Sequence, residues 1–215
     1  MMRNILAVVA IGMIGALAAE ETKPLYENSL ERAQVDKVPE DILVLDGAFV
    51  VKQDGGNKFL ELPGAPLAEG AGVLFGPTEK DGVAVSARIY ATGKGRRFPA
   101  FAVGLNGVGG FRFQVSASKK LIELYKGDEV VASTPYTWES DSWTNLRLQW
   151  RKVKEGEWVA EGKAWKQGAA EPREWAISHP EKMELPAGRA SIWGTPFSGT
   201  PIRFDDLAVT AVAKP

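Results

Sequence analysis

Apolar and polar residues alternate along most of this chain, and turn-forming residues interrupt the alternation about every eight to twelve residues. A period of two places successive side chains on opposite faces of a strand, so that each segment has one face for a core and one for solvent. Thirteen segments between Ile42 and Val212 show this pattern, and no segment keeps a helical period. The sequence therefore predicts an all-β antiparallel fold built from two packed sheets.

The last apolar segment of the chain contains a break in its alternation. Ile202 and Phe204 share one phase and Leu207 has the other, so the pair Asp205-Asp206 adds one extra residue. An extra residue in a strand is the mark of a β-bulge. We expect this final strand to pair with an N-terminal strand and to close the sandwich.

The N terminus has the features of a secretory signal peptide. A positively charged residue precedes the apolar run Ile5–Leu17, and small residues separate that run from Glu20. The alternative is a membrane anchor, which needs roughly 18 to 20 apolar residues, more than this run supplies. Cleavage of residues 1–18 on export to the periplasm or the cell exterior is therefore predicted, with residues 19–215 forming one domain.

Composition narrows the classes of partner. The chain has no cysteine, seven tryptophans and a formal net charge of −1. An exported protein of this kind must be held together by its core, to which buried tryptophans contribute large apolar areas. The balanced charge lacks the excess of lysine and arginine expected for binding nucleic acid or an anionic membrane. Neither partner is expected, and nor is stable membrane insertion of the mature chain.

Several segments resemble the concanavalin A-like lectin/glucanase superfamily. They read VPEDILVLDGAFVV, WTNLRLQW, GKAWKQGAAEPREW and SGTPIRFDDLAV, and the likeness extends from about Leu25 to Val212. The nearest variants are secreted bacterial laminin G-like and family 16 glycosidase-like domains. The resemblance implies a curved two-sheet jelly roll, often with a carbohydrate groove on the concave sheet and sometimes with a structural calcium near the final strand.

The sequence argues against hydrolytic chemistry. A retaining glycosidase needs two carboxylates about 5–5.5 Å apart, which the family 16 enzymes resembled here carry on one strand as Glu-x-Asp-x-Glu. The partial matches Glu79-Lys80-Asp81 and Glu139-Ser140-Asp141 lack the third carboxylate and lie in turn-like sequence. The single histidine, His179, supports neither a zinc site nor a catalytic triad.

The acidic pair Asp205-Asp206 allows two interpretations. As a calcium site it supplies hard oxygen ligands, but calcium takes six to eight oxygens, so carbonyls and other acids such as Glu27 would have to join. As part of a bulge, its carboxylates accept hydrogen bonds from nearby backbone N–H groups. Calcium is thus the one cofactor that the sequence brings into consideration.

Strand parity suggests a ligand face. If the central hairpins belong to one sheet, their outward polar and aromatic side chains form one patch beside the small residues Ala100, Ala102 and Gly104, which would floor a shallow groove. The six patch residues are Arg88, Tyr90, Arg112, Gln114, Glu123 and Tyr125. Trp193, in an apparent loop, is a further candidate for stacking on a sugar. The alternative is an ordinary solvated face stabilised by cross-strand ion pairs.

Three functional hypotheses follow from the sequence. The first is a secreted, non-catalytic sandwich that binds a glycan, a polysaccharide or another extracellular ligand. The second is a glycoside hydrolase-like or keto-sugar-processing enzyme whose acids lie on separate strands and so escape motif detection. The third is a structural or interaction domain of the cell envelope.

Overall fold

The computed structural model describes residues 24–68 and 70–212. The predicted signal peptide lies outside these residues. Their regular structure is almost entirely strand, with one 3-10 turn at Ala117–Lys119, so no helix among them is long and apolar enough to cross a membrane. The strands are β1 Pro24–Asn28, β2 Leu43–Asp46, β3 Val50–Asp54, β4 Asn57–Leu62, β5 Ala71–Glu79, β6 Val83–Ala91, β7 Ala100–Leu105, β8 Phe111–Ser116, β9 Leu121–Lys126, β10 Glu129–Pro135, β11 Ser142–Lys154, β12 Glu157–Lys166, β13 Ile177–Glu181, β14 Gly188–Thr195 and β15 Ile202–Ala211.

These strands form two antiparallel sheets, which confirms the predicted fold class. The eight-stranded sheet has the order β13-β12-β11-β6-β15-β4-β3, with β1 also paired to β15. The seven-stranded sheet has the order β10-β9-β8-β7-β14-β5-β2. Consecutive strands β6 and β7 thus belong to different sheets, and β14 lies between two strands that precede it in the chain.

The core fills the space between the sheets and follows the alternation of the sequence. On β6, Val83, Val85 and Ile89 are buried, whereas Arg88 and Tyr90 point outward and are half-buried. On β8, the buried Phe111 and Phe113 likewise alternate with partly exposed polar residues. Both sets of apolar residues belong to one continuous cluster. The outward residues of the two sheets therefore lie on opposite sides of the sandwich.

The final strand closes the sandwich as predicted, but its N-terminal partner is a strand that the sequence did not reveal. β15 pairs with β6 along one edge and with β4 and β1 along the other. The partner β1 lies in the polar lead-in, which lacks a clear alternation because none of its residues is fully buried and Tyr26 is its contact with the core.

The predicted bulge at Asp205-Asp206 is confirmed. The register of β15 against β6 shifts between Asp205 and Ala208, and Asp206 has a φ of 49°. Because of the extra residue, even-numbered residues before the bulge, such as Phe204, and odd-numbered residues after it, such as Leu207, both point into the core.

Candidate functional site

The outer face of the seven-stranded sheet brings together most of the predicted ligand residues. In the register of the sheet, Arg112 on β8 lies opposite Tyr125 on β9 and Gly104 on β7, and Gly104 lies opposite Ser191 on β14. Neighbouring strands are about 4.8 Å apart, so side chains in such a row contact one another. Gln114 and Glu123 are opposite each other in the adjacent row.

Arg112 lies between two aromatic rings. Its Cζ atom is 4.6 Å from the centre of the Tyr125 ring and 5.7 Å from the centre of the Trp193 ring, distances at which a cation is attracted to an aromatic face. All three side chains are half-buried and so keep part of their surface in solvent. We call Tyr125, Arg112 and Trp193 the stacked row.

Glycines on the two strands that flank β14 make room for Trp193 and for its hydrogen-bond partner Ser191. A Cβ atom at Gly72 on β5 would lie 2.5 Å from Cε3 of the Trp193 indole, and one at Gly104 on β7 would lie 2.5 Å from Oγ of Ser191. The Nε1–H group donates a hydrogen bond of 2.8 Å to Oγ of Ser191. The indole therefore lies along the sheet. Side chains of β14 partly fill the space above Gly104, where the sequence predicted an open groove.

Glu123 is fixed beside the stacked row by three donors. It is only 4% exposed, and it accepts hydrogen bonds from the hydroxyl of Ser116, from Nζ of Lys119 at 2.9 Å and from the Tyr125 hydroxyl at 3.1 Å. Burial raises the pKa of Glu123, but these hydrogen bonds outweigh burial and hold the pKa below its usual value. Glu123 is therefore a carboxylate at neutral pH and orients the Tyr125 ring. Gln114 donates to the same Ser116 hydroxyl at 2.9 Å and so joins this network.

The structure separates Arg88 and Tyr90 from the other predicted ligand residues. Both lie on β6, in the eight-stranded sheet, and point from the opposite side of the sandwich. Tyr90 packs against Trp143, with ring centres 5.6 Å apart. The Cζ atom of Arg88 lies over the same indole, 4.7 Å from its centre. The prediction of one six-residue patch was wrong, because it assumed that β6 and β8 share a sheet.

Arg88 is instead the cation of the acidic bulge. Its Nη2 lies 2.6 Å from Oδ2 of Asp205, and its Nε lies 2.9 Å from Oδ2 of Asp206. Asn57 donates to the same Asp205 oxygen at 2.9 Å, and the Asp206 backbone N–H donates to the other at 2.7 Å.

The residues around the acidic pair do not fit a calcium ion. A guanidinium occupies the position between the two carboxylates, and both Asp205 oxygens already accept hydrogen bonds. Within residues 24–68 and 70–212, no group of three or more histidine, cysteine, aspartate or glutamate side chains could hold a metal ion. The geometry matches the alternative interpretation, in which the pair stabilises the bulge.

Reasoning from the sequence missed part of the site. Trp193 was assigned to a loop, whereas it lies on β14, and Ser191 and Gly72 were not considered. Parity with the buried Ile192 would have pointed Trp193 and Ser191 outward. Their position beside Arg112 depends on the placement of β14 next to β7, which no local pattern encodes.

Several clefts on the surface of the described residues lie away from the stacked row. One, of about 140 Å³, lies on the eight-stranded sheet and is lined by residues including Arg88, Arg147, Trp165 and Glu171. Its arginines are paired with carboxylates, Arg147 with Glu171 at 3.6 Å. The stacked row is an open face, on which an extended ligand can lie.

Solved structures share this sandwich at low sequence identity. The carbohydrate recognition domain of Emp47p has a TM-score of 0.59 and 11% identity, covering 92% of this chain and 100% of that one. The carbohydrate-binding module CBM66 from Bacillus subtilis has a TM-score of 0.54 and 12% identity, covering 80% and 96%. A glycosyl hydrolase family protein from Mycobacterium fortuitum has a TM-score of 0.55 and 12% identity, covering 87% and 99%. No protein-family model and no curated protein matches the sequence. The fold is therefore a lectin-like β-sandwich.

Proposed function

We propose that this protein is an exported, non-catalytic member of the concanavalin A-like superfamily that binds carbohydrate on the outer face of its seven-stranded sheet. The stacked row is the observation that carries the proposal. It presents two aromatic rings and a planar cation side by side on the outer face of a sheet. Packing of the core does not require them there.

The chemistry of the row suits a sugar. Aromatic rings offer flat apolar area to the C–H face of a pyranose, and their polar groups contribute directional hydrogen bonds. Arg112 and Gln114 add N–H donors for ring hydroxyls, while Glu123 fixes the Tyr125 ring before the ligand arrives. A preorganised aromatic loses little conformational freedom on binding, which favours affinity. Two of the similar structures are a carbohydrate recognition domain and a carbohydrate-binding module, which supports this proposal.

The strands around the stacked row argue against the hydrolase alternative. Glu123 is the one carboxylic residue on β7, β8, β9 and β14. Acid and nucleophile catalysis of glycoside hydrolysis needs two carboxyl groups, one of them protonated. Glu123 has no second carboxylate on these strands, and its lowered pKa makes it a poor proton donor. Binding without turnover is the function that this arrangement favours.

The test is binding of the purified protein to a glycan array. It compares the parent with two variants, each of which replaces a tyrosine by alanine on one side of the sandwich. We expect Tyr125→Ala to weaken binding about 30-fold or more, the loss of a hot-spot aromatic worth about 2 kcal/mol. Tyr90→Ala is the matched control, because Tyr90 is also a half-buried, outward tyrosine beside a tryptophan and an arginine. It should leave binding unchanged.

Three outcomes would contradict the proposal. One is a protein that binds no glycan on the array while remaining folded by its melting curve. The second is a loss of binding in Tyr90→Ala with none in Tyr125→Ala, which would move the site to the eight-stranded sheet. The third is release of reducing sugar from a bound polysaccharide, which would support the hydrolase alternative.

A further inference from the structure

Arg112 differs from the other strand arginines of the described residues in having no anionic or carbonyl partner. Each of the others has one: Arg88 binds Asp205, Arg147 binds Glu171, Arg151 binds Glu161, Arg203 binds Asp54, and Arg189 donates to the carbonyls of Gly76 and Asp41. Arg112 is held by the two aromatic rings alone, and its enclosed Nε has no hydrogen-bond acceptor. An outward arginine that has no carboxylate partner is a cation whose charge the protein itself leaves unmatched.

Glu123, the carboxylate beside Arg112 on this face, already has a cationic partner. Glu123 is paired with Lys119 at 2.9 Å and accepts further hydrogen bonds from Ser116 and Tyr125. Its side chain is only 6% exposed, whereas that of Lys119 is 56% exposed. Lys119 therefore balances the charge of Glu123, and the positive charge of Arg112 remains for a ligand.

We infer that the carbohydrate bound by the stacked row carries an anionic group, a carboxylate as in a uronic acid or a sulfate ester, that pairs with Arg112. This inference rests on the proposed function and narrows its substrate class. A guanidinium is a planar fork of N–H donors that matches a carboxylate or sulfate in two parallel hydrogen bonds. The flanking rings hold the fork in place, so little side-chain freedom is lost when the anion binds.

The experiment compares charged and neutral forms of the same glycan backbone. Oligogalacturonate and its fully methyl-esterified form share one backbone and differ at the carboxyl group, where a neutral methyl ester replaces the carboxylate. An array adds other uronate-containing, sulfated and neutral glycans. We expect the glycans that bind to be anionic, esterification to abolish binding, and added salt to weaken it. Binding to sulfated but not uronate glycans would identify a sulfate ester as the anion, and the reverse would identify a carboxylate.

Substitutions at Arg112 separate charge from packing. Arg112→Gln removes the charge and should weaken binding of the anionic glycan about 10- to 100-fold, the loss expected for hydrogen bonds to a charged group. Arg112→Lys keeps the charge and should keep the preference for anionic over neutral glycans, at reduced affinity. Arg147→Gln makes the same change on the other sheet, where the arginine has its own carboxylate partner, and should have no effect.

The outcomes distinguish this inference from the proposed function. If neutral glycans bind in a manner that requires Tyr125, and anionic ones bind no better, the proposed function stands and the inference is wrong. If anionic glycans bind equally well to Arg112→Gln, the inference is also wrong, provided that the variant melts at the parent temperature. If no glycan binds, both fail.

Discussion

Replacing Arg88 with methionine removes the cation that holds the bulge of β15 while keeping an unbranched side chain of similar reach. Arg88 is 17% exposed, and its partner Asp205 is fully buried. Methionine can still cover Trp143, which the arginine contacts at 4.7 Å. The substitution therefore changes charge far more than packing, and it leaves the Asp205 carboxylate in the protein interior without its counter-ion.

The expected loss of stability is large. Removing one partner of a buried ion pair costs about 3–5 kcal/mol, because the remaining charge stays desolvated and unpaired. In a domain of this size each kcal/mol lowers the melting temperature by about 2–4 °C, so the loss corresponds to about 6–20 °C. A surface ion pair in this position would be worth about 1 kcal/mol or less.

The loss should depend on pH in a direction set by Asp205. Burial raises the pKa of Asp205 above its ordinary value in the folded protein. A carboxyl group with a raised folded-state pKa destabilises the fold once it ionises, and protonation removes that cost. Loss of the Arg88 charge raises this pKa further. The variant should therefore be closest to the parent in acid and fall further behind it as the pH rises through the raised pKa of Asp205.

Urea unfolding at pH 7 and at about pH 3, below the ordinary pKa of an aspartate, measures both effects. The double variant Arg88→Met with Asp205→Asn removes the unpaired charge and should recover much of the loss at pH 7. A deficit below about 1 kcal/mol, or one that is the same at both pH values, would refute the assignment of a buried ion pair. The melting temperature of the parent should be the same in calcium as in chelator. A higher melting temperature in calcium would support the metal interpretation of Asp205-Asp206.

Two further predictions concern the face of the seven-stranded sheet. Gly72→Ala should displace the Trp193 indole, since the new Cβ would lie 2.5 Å from the ring, and should weaken glycan binding about tenfold or more with a change in tryptophan fluorescence. Gly56→Ala, with open space around its Cβ, is the control, and equal effects of the two would contradict the assigned indole position. Glu123→Gln should be less stable than the parent at pH 7, by about 1.5–3 kcal/mol in urea. Because the pKa of Glu123 is lowered in the fold, this deficit should start to shrink as the pH falls below about 4 and should vanish once the pH is below the lowered pKa; a deficit that does not shrink in acid would disprove the role given to its charge.

The periodicity of the sequence predicted the faces of the strands well. Val83, Val85, Phe111, Phe113 and Trp150 are all core residues, as their parity indicated. The prediction succeeds because the alternation of apolar residues is a local property: it records which face of each strand meets the core, whatever the neighbouring strand is.

Parity was less informative where a strand contacts the core on a small part of its surface. β1 and the edge strand β13 carry few buried residues, so neither has a clear alternation. By contrast, Trp143 follows parity: it lies on the outer face beside Tyr90, in phase with the outward residues of β11, although a large apolar side chain is more often found in a core.

The sequence alone determined the fold class, the two faces of most strands and the bulge at Asp205-Asp206, because each depends on the spacing of neighbouring residues. The tertiary structure decided which strands share a sheet. It placed Arg88 and Arg112 on opposite sides of the sandwich although they lie on strands close in sequence, and it brought Trp193 to Arg112 from a distant one. Strand order is a collective outcome, since a sheet accepts whichever strands together bury their apolar faces in one core. The stacked row, and with it the proposed site, is a product of that order.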